Sequence, residues 1–162
     1  MTTADIEAVE AANSALYAAL EAGDYDAMSA LWVDDALAES AQCVHPGWMR
    51  VAGRGAILRS WALIIANTSY IQFFLTDVSV TVSGEVGVVT CAENVLTGLG
   101  RDAEGAAALG GGRIETTNLF RRTESGWRIW HHHASPVLAP DDRDSDDRDT
   151  GEGASGDDEE RG

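Results

Sequence analysis

The chain has 162 residues, a formal net charge of −16 and two cysteines, which suffices for one domain with a sizeable core and marks no second one. Its eleven basic residues are all arginines scattered through an acidic chain, which excludes the clustered positive patch that nucleic acid binding requires. Cys43 and Cys91 have no zinc spacing, residues 1–7 contain neither a basic nor an apolar leader region, and no run approaches the roughly 18 apolar residues of a membrane span; a cytoplasmic protein without a membrane partner is expected.

Residues 5–22 predict a helix, with Ile6, Val9, Asn13, Leu16 and Leu20 on one stripe and Gly23 as its stop. Asp24 caps a second, short helix carrying Met28, Leu31 and Trp32. Residues 36–44 read as a short strand, and His45-Pro46-Gly47-Trp48 as a turn. Residues 53–66 predict a third helix, whose apolar face holds Ile57, Leu58, Trp61, Ile64 and Ile65. Strands are then predicted over 69–83, 85–100, 113–123 and 127–136, with residues 101–112 as a Gly- and Ala-rich loop.

Three helices followed by four long strands indicate an α+β domain over residues 1–138, with the helices on the concave face of a curved antiparallel sheet. Residues 139–162 read as a disordered acidic tail. From residue 141 it carries eleven Asp or Glu against three Arg, and no Val, Ile, Leu, Phe, Trp or Tyr. The strand at 85–100 is apolar on both sides, with Val89, Cys91 and Val95 on one face and Val88, Ala92 and Leu96 on the other. Helices cover one sheet face, so the second calls for a partner, and a homodimer through the sheet is expected.

Three segments resemble one known superfamily. Leu16–Asp24 with Leu31–Ala36 resembles the opening of SnoaL-like proteins and ketosteroid isomerases, and Thr117–Arg122 with Gly126–Ser135 resembles the final hairpin of SnoaL-like domains. Cys43-Val44-His45-Pro46-Gly47-Trp48, with Gly53-Arg54 leading into a helix, is similar to an actinobacterial branch of the same superfamily. This resemblance covers residues 5–138 and implies the cone-shaped, cystatin-like, nuclear-transport-factor-2-like fold. It also implies a conical pocket for a small, largely apolar molecule, and no cofactor.

The resemblance separates fold from chemistry, because this fold hosts isomerases, cyclases, dehydratases and non-catalytic modules. In the ketosteroid isomerase pattern, the tyrosine position of the first helix is Leu16 here, with Tyr17 about 100° round the helix, and the general-base aspartate position is Ser40. Both groups are missing, which excludes that mechanism. Two readings remain: a pocket that binds a small molecule without turnover, or an enzyme of the polyketide cyclase or isomerase type using a His or Glu as acid and base.

The candidate catalytic residues are His131, His133 and Glu93. Alternation puts Trp127, Ile129, His131 and His133 on one face of the last strand, and a neutral imidazole serves as acid or base near neutrality. Glu93, between Cys91 and Val95, is either a carboxyl with a raised pKa or the partner of an arginine such as Arg113 or Arg122. Asn118 either polarises a carbonyl or satisfies a buried backbone group. Asn13, Tyr17, Trp32, His45, Trp48, Asn118 and Phe120 complete the expected pocket lining. A metal site from His131 and His133 with His45 or Glu93 is weighed and set aside, because consecutive histidines on a strand point to opposite faces.

Overall fold

The computed structural model describes residues 2–101 and 103–138. Helix α1 (Thr3–Ala22) begins in a capping box, where the Thr2 hydroxyl accepts from the Asp5 N–H and the Asp5 carboxylate accepts from the Thr2 N–H. It ends at Gly23, whose φ of 63° is left-handed and suits a residue without Cβ. Asp24 caps α2 (Tyr25–Leu31) by accepting from the Ala27 N–H at 2.9 Å. A 3₁₀ turn over Ala38–Ser40 leads to β1 (Gln42–Val44), β2 (Val51–Ala52) and α3 (Arg54–Asn67). Then come β3 (Ile71–Ser83), β4 (Val86–Arg101), β5 (Ala107–Thr123) and β6 (Gly126–Pro136).

The six strands form one sheet in the order β2-β1-β6-β5-β4-β3. Strand β1 runs parallel to β6, which corrects the expected all-antiparallel sheet: it is mixed. The expected strand over 36–44 shrinks to a 3₁₀ turn plus β1, and β2 is an additional short strand. The loop expected over 101–112 is also corrected, because β5 already begins at Ala107 and Gly110, Gly111 and Gly112 pair with Thr97, Leu96 and Val95. Ladder hydrogen bonds need only backbone, so a glycine run can continue a strand whose partner is already in place. The acidic tail lies outside the described residues.

Helix α1 crosses β3, β4 and β6, with Val9 seated over Gly87, Asn13 meeting Asn118 and Tyr17 reaching Phe73. Helix α3 is tied to the end of α2 by Arg54, which donates to the carbonyl oxygens of Ser29, Trp32 and Val33. Val9, Leu16, Met28, Trp32, Ile57, Phe120 and Ile129 are fully buried in the single core cluster between these layers. Register shifts at Thr76/Ser79 in β3, at Gly98/Gly100 in β4 and opposite Leu119/Phe120 in β6 bend the sheet.

Candidate functional site

Strand β6 sets the site through one extra residue. Leu119 pairs with His131 and Phe120 with Ile129, so Trp130 is bulged out of the ladder. Before the bulge, Trp127 and Ile129 face the core; after it, the inward residues are His132 and Ala134. This overturns the expectation that His131 and His133 face the interior of the cone. They line a broad groove on the outer face with Gln42, Val44, Thr117 and Leu119.

The inner cavity has a volume of about 110 Å³. Leu16 and Leu20 of α1, Trp61 and Ile64 of α3, and Phe73 and Val95 of the sheet supply its apolar walls. Its polar groups are Tyr17, His45, Glu93 and His132. They belong to two hydrogen-bonded clusters.

The first centres on Glu93, buried on β4. Its Oε1 accepts from the Tyr17 hydroxyl at 2.8 Å and the Thr116 hydroxyl at 2.7 Å. The arginines considered as its partners are engaged elsewhere: Arg113 with Asp77 and Glu115, Arg122 with Asp5. Burial raises the Glu93 pKa above the usual carboxylate value, and the two hydroxyl donors only partly oppose this. Burial, with the neighbouring Glu93, pushes the Tyr17 phenol upward as well, so it stays a donor.

The second cluster joins β1, α3, α1, β5 and β6. Ser60 donates to the Ile57 carbonyl at 2.7 Å, so it accepts from the His45 Nε2–H at 2.8 Å. Asn118 donates to Asn13 Oδ1 at 2.8 Å, which turns its own Oδ1 to the His132 Nδ1–H at 2.6 Å. These bonds fix opposite tautomers and leave lone pairs on His45 Nδ1 and His132 Nε2. Burial lowers the two imidazoles to pKa values of about 4 for His45 and about 3 for His132, so both are neutral at physiological pH. Cys43 Sγ lies 3.8 Å from His45 Nδ1 and 3.6 Å from its Nε2, and burial raises its thiol pKa. Trp61 stands edge-on to His45 at 4.4 Å between centroids, and its buried indole N–H has no acceptor among the described residues.

Tyr17, His45 and Glu93 thus line the cavity, while Asn13 and Asn118 stand behind His132 as its support. Trp32 and Phe120 are core residues outside the cavity wall. Trp48 is 43% exposed and meets His45 edge-on from the surface side. His132, Thr116, Ser60 and Cys43 were missed by sequence reasoning. Thr116 was legible in principle, because it alternates with Ile114 and Asn118 on the inward face of β5, which Glu93 shares through its pairing with Ile114.

Residues 9–140 match the family described as SnoaL-like domain. A solved structure from Streptomyces avermitilis, provisionally named a dehydratase of the NTF2-like family, is 51% identical with a TM-score of 0.78, covering 86% of this chain and all (100%) of that one. A provisionally named calcium/calmodulin-dependent protein kinase type II association domain from Thiobacillus denitrificans is 30% identical with a TM-score of 0.65, covering 80% of this chain and 94% of that one. An NTF2-like superfamily protein from Salmonella enterica serovar Typhimurium, at 15% identity and a TM-score of 0.70 over 86% of this chain and 95% of that one, shares the fold. No functionally curated protein matches the chain. Among the described residues no helix is long and apolar enough to cross a membrane.

Proposed function

The chain belongs to the SnoaL-like domain family, and from that premise we propose that it encloses a small, largely apolar molecule in the inner cavity and moves a proton on it through Glu93. The observation that carries this reading is a carboxyl buried in an apolar cavity with its pKa raised by burial and Oε1 held by two hydroxyl donors. A carboxyl in such surroundings holds its proton more tightly than a surface glutamate, which suits a general acid that later recovers its proton. The provisional dehydratase name of the 51% identical relative favours an elimination of water. In that reaction Glu93 protonates the departing hydroxyl, the C–O bond breaks, and the proton lost from the adjacent carbon returns to the carboxylate.

Size narrows the ligand. A buried cavity of about 150 Å³ holds benzene, so about 110 Å³ suits a short branched chain or a single small ring. Fused polyketides and steroids exceed it. A second reading, binding without turnover, is favoured by the saturation of Glu93 Oε1 by Tyr17 and Thr116, which also suits a purely structural carboxyl.

Native mass spectrometry of the purified protein, followed by turnover assays on small hydroxylated compounds related to any molecule that co-purifies, tests the proposal. Glu93→Gln is expected to keep the fold and ligand retention while turnover falls by about 10²-fold or more. Unchanged turnover in that variant overturns the acid–base role. Ligand retention without turnover in the unaltered protein supports the binding reading instead.

A further inference from the structure

The histidine side of the cavity is built differently from the Glu93 side. Cys43 on β1 and His45 just past its end both point inward, and Cys43 is the register partner of His132 on β6. The parallel β1–β6 pairing therefore brings a thiol and two imidazoles together from sequence positions far apart. All three side chains are buried, and one ligand atom from each lies within 4.8 Å of the others. A tetrahedral ion with a metal–sulfur bond of about 2.3 Å and metal–nitrogen bonds of about 2.0–2.1 Å sets its ligand atoms roughly 3.4–3.6 Å apart. Cys43 Sγ lies 3.8 Å from His45 Nδ1, nearly that spacing, and 3.6 Å from Nε2, so a small rotation of the thiol toward Nδ1 completes the approach.

The hydrogen bonds around the cluster point the same way. His45 donates its Nε2–H to Ser60 and His132 donates its Nδ1–H to Asn118. Each imidazole is fixed in orientation and tautomer by the nitrogen that a metal does not need, and each keeps a lone pair on the other nitrogen. Metal-binding histidines are supported in this way.

We propose that Cys43, His45 and His132 bind one divalent transition ion of the zinc or cobalt class, with the fourth position open toward the cavity that His45 and His132 line. Sulfur and imidazole ligands select such ions over magnesium and calcium, which need oxygen donors. On binding, the Cys43 S–H bond gives up its proton to solvent and the thiolate forms the metal–sulfur bond, with no change of oxidation state. The site stands on this cluster independently of the proton-transfer role of Glu93.

Cobalt(II) is the probe. Full-length protein, reduced and freed of metal by chelator, is titrated with cobalt(II) and then with zinc(II). One cobalt per chain is expected, with a sulfur-to-cobalt charge-transfer band, the strong visible absorption of a four-coordinate ion, and displacement by zinc. Cys43→Ser is expected to remove the charge-transfer band, and Asn118→Leu to weaken binding about 10–100-fold by freeing the His132 ring. Glu93→Gln is expected to retain both band and stoichiometry, which separates failure of the metal site from failure of the acid–base reading. Absence of the charge-transfer band in the unaltered protein overturns the proposal, whether or not any variant folds. Cobalt bound only with the weak spectrum of an oxygen-coordinated ion, unchanged in Cys43→Ser, overturns it equally and assigns the ion to surface or tail carboxylates.

Discussion

Asn118 holds two elements with one amide: its nitrogen donates to Asn13 of α1 and its oxygen accepts from His132 of β6. It is fully buried, so truncation leaves two buried polar groups without their partner. Asn118→Ala is expected to cost about 2–4 kcal/mol in urea unfolding, from two unpaired groups at roughly 1–3 kcal/mol each after partial relaxation. A loss below about 1 kcal/mol would show that the network contributes little to stability. His132 makes a separate prediction. Its folded pKa of about 3 lies below the value of 6.5 for a free imidazole, so the unfolded chain binds the extra proton and stability falls with pH through that window. Between pH 6.5 and 5 this amounts to about 2 kcal/mol. His45 and Glu93 also titrate nearby, and His45 adds a loss of the same sign while Glu93, with its raised pKa, opposes it. Comparing His132→Gln with the unaltered protein, both with chelator present, isolates one imidazole: the acid loss should shrink by about 2 kcal/mol in the variant. Parallel pH profiles would contradict the buried, neutral assignment.

Gly87 of β4 lies tight under Val9 of α1: a Cβ there would lie 2.7 Å from Val9 Cγ2 and 3.0 Å from Cγ1. The obstacle is a buried branched side chain in the core, where added volume forces displacement. Gly87→Ala is expected to destabilise by about 1–3 kcal/mol. Val9→Ala removes the obstructing methyl groups, so in the double variant the cost of Gly87→Ala should largely disappear; a purely additive double-mutant cycle would deny the contact. Such elements show what the sequence made legible. The stripe Ile6, Val9, Asn13, Leu16, Leu20 and the stops at Gly23 and Asp24 located α1 and α2 because local periodicity and caps encode them. The long strands were legible through their β-branched runs. The β1–β6 parallel pair and the strand continuing through Gly110–Gly112 were not, since both are fixed by a distant partner strand and no local preference. The candidate site failed at one residue for the same reason. Alternation along β6 is valid on either side of Trp130, but the bulge there shifts the phase and exchanges His132 for His131 and His133. Glu93, on β4 before its shift at Gly98/Gly100, followed from alternation with Cys91 and Val95, whereas Tyr17 lies outside the helix stripe that the sequence marked.

At the scale of the molecule, the outer face of the sheet is the surface that the helices do not cover. Gln42, Val44, Thr90, Thr117, Leu119, His131, His133 and Ser135 line a broad groove there of about 660 Å³. The apolar members, Val44 and Leu119, sit among uncharged polar groups, and Glu115 is the one acidic side chain of the lining. A chain with a net charge of −16 repels its own copies over most of its surface, so a face nearly free of carboxylates is where two copies can approach. A homodimer formed there would exchange the same patch on both subunits. A stable pair needs about 800 Å² from each partner, within reach of a face made of four long strands. His131, half-buried on this face with its pKa lowered by burial, is neutral at pH 7 and adds no repulsion across the two-fold axis. Light scattering at micromolar concentration should therefore return twice the chain mass of 17.2 kDa. Leu119→Glu, which places two like charges across the two-fold axis in a desolvated patch, is expected to yield monomer while leaving the inner cavity intact. That variant also separates the two faces functionally, because ligand retention through the inward residues His132 and Glu93 should survive the loss of the dimer. A monomer mass for the unaltered protein would remove the dimer from the proposal, and the outer groove with His131 and His133 would then be open to solvent in the working molecule.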